Sequence, residues 1–181
     1  MQKKEPNISE GEEFIFDYLK ANEIAFEPQQ KIHGLKGDTA SHRIADFYLK
    51  KYGIYIEFLG QWNHGDEHRA RYKIKRDVYF KNKIPCIYLY PENLGILDYV
   101  FKKRILTELK KHDLKQQLFR WRTNQAYEKN VDYILGFVIA LMILIISLVS
   151  PIDLRLASVS SIAAILILSR IIYHTVKIFR L

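Results

Sequence analysis

Two apolar runs in the last third of the sequence constrain this chain more than any other feature. Tyr133 to Ser150 is apolar apart from Ser147 and the final serine, and Leu156 to Val176 is a second run of the same kind. At 1.5 Å of rise per residue, about 18–20 residues cross the hydrocarbon core of a bilayer. Each run is therefore expected to span a membrane as a helix, at about 133–150 and 156–176. The alternative is a helical hairpin buried inside a soluble protein. Pro151-Ile-Asp-Leu-Arg155 between the runs reads as a tight turn. Gly136-xxx-Ala140 and Ser160-xxx-Ala164 permit close helix packing, either between the spans or between subunits. Arg170, near the end of the second run, can snorkel to the interface.

Charge sets the orientation. Of 28 Lys/Arg and 20 Asp/Glu, residues 1–130 hold 24 and 18, a net +6 out of +8. The turn between the runs carries one basic residue, Arg155. Arg120, Arg122 and Lys129 flank one side, and Lys177 and Arg180 the other. The positive-inside rule then predicts a two-pass integral membrane protein with both termini cytoplasmic. Arg120, Trp121, Arg122, Tyr127 and Lys129 together have the composition of an interfacial anchor. The basic excess in the first 130 residues suits phosphate backbones or an anionic membrane surface, and otherwise a solvated basic surface. The single Cys86 lies in an apolar run, fits a buried strand and allows no internal disulfide. The first residues, Met-Gln-Lys-Lys-Glu-Pro, lack the apolar run of a signal peptide.

The polar part is organised around Arg43 to Glu57, R-I-A-D-F-Y-L-K-K-Y-G-I-Y-I-E. Phe47–Leu49 and Ile54–Phe58 are rich in β-branched and aromatic residues, and Lys50-Lys51-Tyr52-Gly53 between them is a turn. This is a β-hairpin pattern. With the turn centred near Lys51-Tyr52, Asp46 and Glu57 oppose each other and emerge on one face. Two adjacent carboxylates repel. A divalent cation removes that conflict, since Mg²⁺ is typically held by one or two carboxylates plus phosphates and waters. The bland alternative is that one of the two is an ordinary surface acid.

In its order of motifs the chain resembles the PD-(D/E)xK nuclease superfamily, the restriction-endonuclease-like fold, over roughly residues 8–110. Ala45-Asp46 stands where the family has Pro-Asp, and Glu57 stands at the family acid. Leu59 occupies the position of the usual lysine. Some members carry that lysine on the following helix, which Arg69 to Tyr79 resembles. Lys75 matches it, with Lys73 as the rival and Gln61 as a third candidate near the missing lysine. The helix pattern favours Lys75: it shares a stripe with Tyr72 and Tyr79, whereas Lys73 points elsewhere. The resemblance further implies that Asp46 and Glu57 bind Mg²⁺ or Mn²⁺, with the backbone carbonyl of Phe58 as third ligand. A Glu from the first helix often joins such sites, and Gly11-Glu12 matches that position. Glu12 equally completes a capping box with Ser9 (S-x-x-E).

The remaining elements follow from periodicity. The first helix should run to about Ala21, and Ile24–Ile32 should be extended. His33–His42 reads as a loop, with both histidines solvated and Arg43 beyond it a candidate phosphate contact. His64 and His68 are four apart and would share a helix face, but the rest of a zinc signature is absent. Trp62 is a candidate base-stacking residue or a core edge. A helix from about Glu67 to Lys81 presents Arg69, Arg71 and Lys73 as further nucleic-acid contacts. Ile84–Tyr90 is a central strand. Leu97–Lys111 is a second amphipathic helix, with Phe101, Ile105, Leu106 and Leu109 inward.

The expected organisation is a nuclease-like domain at 1–112, a basic helical connector at 113–130 and a transmembrane hairpin at 131–181. The expected fold is α/β: a restriction-endonuclease-like mixed sheet flanked by helices, plus an all-α transmembrane hairpin. The expected activity is metal-dependent hydrolysis of nucleic-acid phosphodiesters on the cytoplasmic side of a membrane, on DNA before RNA. Two alternatives stay open. One is a binder of nucleic acid that keeps the fold without catalysis. The other is a membrane effector whose hairpins, as homo-oligomers in the bilayer, respond to the soluble domain. An antiphage defence role would suit this architecture.

Overall fold

The structure is a computed structural model that describes residues 9–149 and 154–180. The chain divides into two compact units, Met1–Leu118 and Phe119–Leu181.

The first unit is α/β. Its elements are α1 (Glu10–Ala21), β1 (Glu27–His33), β2 (His42–Leu49), β3 (Ile54–Phe58), α2 (Asp66–Lys81), β4 (Cys86–Leu89), a 3-10 turn over Pro91–Ile96, and α3 (Leu97–Lys111). The strands form one mixed sheet in the order β1-β2-β3-β4. The first two neighbouring pairs are antiparallel, and β3–β4 is parallel across the α2 crossover. This arrangement follows the sequence. β3 is buried at four of its five positions and sits between two neighbours. β1 carries Pro28 and is mostly polar, which suits an edge where a missing N–H costs nothing.

The hairpin pairs Phe47 with Ile56, Tyr48 with Tyr55 and Leu49 with Ile54, so the turn is centred on Lys51-Tyr52. Gly53 turns the chain at φ +67°, a left-handed conformation that glycine adopts without a Cβ clash. Its N–H and that of Tyr52 both donate to the Leu49 carbonyl.

Helix α1 starts at the expected capping box. The Glu12 N–H donates to Ser9 Oγ, and Ser9 N–H donates to Glu12 Oε2 at 2.8 Å. Ile15 and Leu19 are fully buried. In α3 the buried positions are Phe101, Ile105 and Leu109, with Leu97 and Val100, and Leu106 is only partly buried. Three sequence expectations shift. His33 and His42 are not loop residues: they end β1 and begin β2 as a register pair, with rings 5.3 Å apart. His64 lies before α2, whose N-cap is Gly65 at φ +115°, so it shares no helix face with His68. Strand β4 is shorter than the apolar run Ile84–Tyr90 around it.

The second unit holds most of α4 (Lys115–Val149) and all of α5 (Leu154–Arg180). The connector expected at 113–130 is not a separate element, because from Lys115 it belongs to α4 without a break. Two stretches, Lys115–Ile146 and Ser158–Arg180, are long and apolar enough to cross a membrane. In their most apolar windows only 11% of the first and 6% of the second is buried, unlike the core helices of a soluble fold. Of the expected turn, Pro151 to Asp153 lies outside the described residues, and Arg155 falls within α5. The N-terminal hexapeptide also lies outside the described residues. The small residues behave as close-packing positions: Ala140, Ser160 and Ala164 are each 7% exposed. A Cβ on Gly136 would sit 3.6 Å from Ile167 Cδ1. Trp121, expected at an interface, is buried at 3% exposure, whereas Tyr127 is exposed.

Candidate active site

The site is built at the end of β3, beside the middle of β2, where α2 crosses. Glu57 sits on β3 and is 2% exposed. Burying a carboxylate is costly unless its oxygens are matched, and here both are. Lys75 Nζ lies 2.5 Å from Oε2, and the Tyr79 hydroxyl donates to Oε1 at 2.8 Å. Lys75 and Tyr79 are one helical turn apart on α2, so a single helix face supplies both groups. Lys75 also donates to the Ile44 carbonyl at 2.7 Å. Lys73, the rival, is exposed on another face of α2 and lines a separate cleft with Lys111 and His112.

Asp46 is placed by an irregularity that sequence periodicity does not reveal. The β1–β2 register pairs Pro28 with Phe47 and Gln30 with Ala45, skipping Gln29 and Asp46. Gln29 has φ +49°, outside the extended region. The β2–β3 pairing stops at Phe47–Ile56. Both ladders thus release Asp46, and its Oδ2 accepts the Phe58 N–H at 2.6 Å.

Electrostatics tie the acids together. Burial, then the Glu57 charge, pushes the Asp46 pKa up from 3.8 to about 8, while the Phe58 N–H and Lys75 oppose the rise. Glu57 is likewise raised, mainly by burial, with Lys75 and Tyr79 pulling it back. Glu12 adds a smaller upward push to both. Three acids therefore feel one another, although Glu12 Oε2 is bonded to Ser9 N–H. Tyr79 is raised by burial and by Glu57, so it stays a hydrogen-bond donor.

A close approach holds α1 against this centre. A Cβ on Gly11 would lie 2.2 Å from the Phe58 ring, and one on Gly60 would lie 2.8 Å from it. The ring of Phe58 thus fills space that two glycines leave open, Gly11 next to Glu12 and Gly60 three residues after Glu57. The glycine in Gly11-Glu12 is the sequence signal for this contact.

The remaining candidates divide. Gln61 is turned toward α2: its N–H donates to the Tyr72 hydroxyl at 3.2 Å, and its Oε1 accepts from Arg71 at 3.4 Å. Arg71 also meets His68 Nδ1 at 2.7 Å. Arg43 is engaged by Asp38 through Nε at 2.7 Å and Nη2 at 2.6 Å. That pairing raises the Arg43 pKa and lowers that of Asp38. Arg69 lies 3.7 Å from Asp66. Trp62 stacks near Tyr72 at 6.3 Å and meets Tyr90 edge-on at 5.2 Å, forming an aromatic group beside the site.

Among the described residues no cluster of three or more His, Cys, Asp or Glu is arranged to hold a metal ion. The Asp46–Glu57 pair nevertheless has the donors for a hard cation. Both are carboxylates, and each oxygen keeps a second lone pair. Comparison of the chain with family models, curated proteins and solved structures finds no match.

Proposed function

We propose that the chain is a membrane-anchored, Mg²⁺- or Mn²⁺-dependent nuclease of the restriction-endonuclease-like class, acting on nucleic-acid phosphodiesters at the cytoplasmic face. The observation that carries this reading is Lys75, delivered by the crossover helix to 2.5 Å from Glu57 beside Asp46. A lysine there is 18 positions downstream of the acid, and it does what a lysine two positions downstream would do in the resembling family.

Asp46, Glu57 and the Phe58 carbonyl would hold the ion. When bound, such an ion lowers the pKa of a water and neutralises developing phosphate charge. Lys75, held beside the acids, can donate to a phosphate oxygen as charge builds there. Tyr79 and the Phe58 N–H fix the two carboxylates in orientation, so little reorganisation is needed on binding. Glu12 adds negative charge next to them.

A second reading is favoured by one feature. Lys75 and Tyr79 already satisfy both Glu57 oxygens, as a purely structural buried pair would. On that reading the domain binds nucleic acid without cutting it, or reports binding to the hairpin. The test is cleavage of single- and double-stranded DNA and RNA by the full chain in detergent, with Mg²⁺, Mn²⁺ or EDTA. Metal-dependent cleavage lost in Asp46→Asn supports the nuclease. Binding without cleavage under every condition supports the second reading.

A further inference from the structure

A second basic site lies between α2, β4 and α3, in a cavity of about 440 Å³. Its walls include Arg76, Arg104, Lys103 and three tyrosines, Tyr88, Tyr90 and Tyr99. The Arg76 guanidinium stands over the Tyr88 ring at 5.1 Å and donates to the Tyr90 hydroxyl at 3.2 Å. The Arg104 guanidinium stands over the Tyr90 ring at 5.5 Å and donates to the Tyr88 carbonyl. Both side chains are partly buried, yet among the described residues neither forms an ion pair. Two guanidiniums drawn together with only neutral acceptors are costly in a partly desolvated site. Burial, with a smaller push from Arg76, lowers the Arg104 pKa, against upward effects of Tyr90 and Glu92. Glu108 borders the cavity, but Lys111 pairs with it at 3.3 Å. Tyr99 is 65% exposed at the mouth, with Lys103 over its ring at 5.8 Å.

We propose that this cavity binds a nucleotide, with Arg76 and Arg104 clamping its phosphate and Tyr99 stacking on its base. Paired guanidiniums suit the geometry of phosphate oxygens, and an exposed aromatic face accepts any base. The volume lies within the range of small-molecule pockets, roughly 300–1,000 Å³. The nucleotide can be a free one or part of a strand. Tyr90 joins the cavity to Trp62, which extends its aromatic surface. The assignment concerns binding alone and stands whether or not the chain cuts.

The test uses the full chain in detergent with EDTA, titrated calorimetrically with inorganic phosphate, adenosine 5′-monophosphate and a short oligothymidylate. Nucleotide should bind more tightly than inorganic phosphate. Arg76→Gln and Arg104→Gln should each weaken it by at least about tenfold. Tyr99→Ala should weaken nucleotide roughly tenfold and leave inorganic phosphate unchanged. Tyr99 is exposed, so its variant decides the matter even if an arginine variant fails to fold. A tighter oligonucleotide than mononucleotide assigns the site to a strand, and the reverse order assigns it to a free nucleotide. No binding of any probe, or nucleotide binding unchanged in Tyr99→Ala, overturns the proposal.

Discussion

Asp46 carries the sharpest consequence of the site's electrostatics. Its folded pKa of about 8 stands above its ordinary 3.8, so the folded state binds the extra proton between those values. Without divalent cation, stability should therefore fall as pH rises through that window, by at most about 1.4 kcal/mol per unit. The melting temperature of the wild type should drop between pH 6 and pH 8.5, and Asp46→Asn should flatten the curve. A cation binds the deprotonated pair, so Mg²⁺ should raise the melting temperature more at pH 8 than at pH 6. A pH-independent melting curve would contradict the burial assigned to Asp46. Lys75 gives a second residue-scale expectation. Its side chain is 19% exposed and that of Glu57 is 3%, so Lys75→Ala strands a buried carboxylate. Unfolding free energy from denaturant titration should fall by about 3–5 kcal/mol, against under 1 for an exposed pair. Cleavage, if present in the wild type, should be lost with it.

At the scale of elements, the contact between α1 and the end of β3 depends on one missing side chain. Gly11→Ala improves helix propensity by up to about 1 kcal/mol, yet places a Cβ 2.2 Å from a packed aromatic ring. The overpacking should win, destabilising the chain by about 1–3 kcal/mol. Shortening the ring in Phe58→Leu should partly rescue Gly11→Ala in a double-mutant cycle, and purely additive effects would exclude the contact. Because α1 also carries Glu12, the single variant should weaken any metal binding without touching a ligand. In the hairpin helices the corresponding Gly136 has ordinary van der Waals room, so Gly136→Ala should be close to neutral.

At the scale of the whole molecule, the two units differ in what surrounds them. The first buries Phe47, Ile54, Ile56, Leu89 and Phe101 in its own core. The second exposes large apolar side chains such as Leu135, Ile145, Ile162 and Leu166. A chain ending at Leu118 should be soluble and melt cooperatively, whereas the full chain should partition into detergent. The proposed orientation, with both termini cytoplasmic, is testable by labelling. In a Cys86→Ser background and intact cells, Ile152→Cys should react with a membrane-impermeant thiol reagent and Lys50→Cys should not. The opposite pattern would invert the topology.

Local chemistry was enough to read much of this protein from its sequence. The capping box at Ser9-Glu12, the turn at Lys51-Tyr52, the span of α3 and the two apolar helices each depend on residues near one another in the chain. The placement of Lys75 over Glu57 was legible too, because helical periodicity put it with Tyr72 and Tyr79 on the stripe facing the sheet. Other features depended on partners distant in sequence. The gap in the β1–β2 ladder at Asp46 faces Gln29, whose left-handed backbone lies on a neighbouring strand. Arg43 was diverted to Asp38, and Gln61 to Arg71, by loops whose path no periodicity encodes. The Arg76–Arg104 pair joins two helices 28 positions apart, and only their packing against β4 brings the guanidiniums together. Periodicity records which face of an element is apolar. It does not record which polar groups meet where two elements cross, and that was decided by tertiary packing.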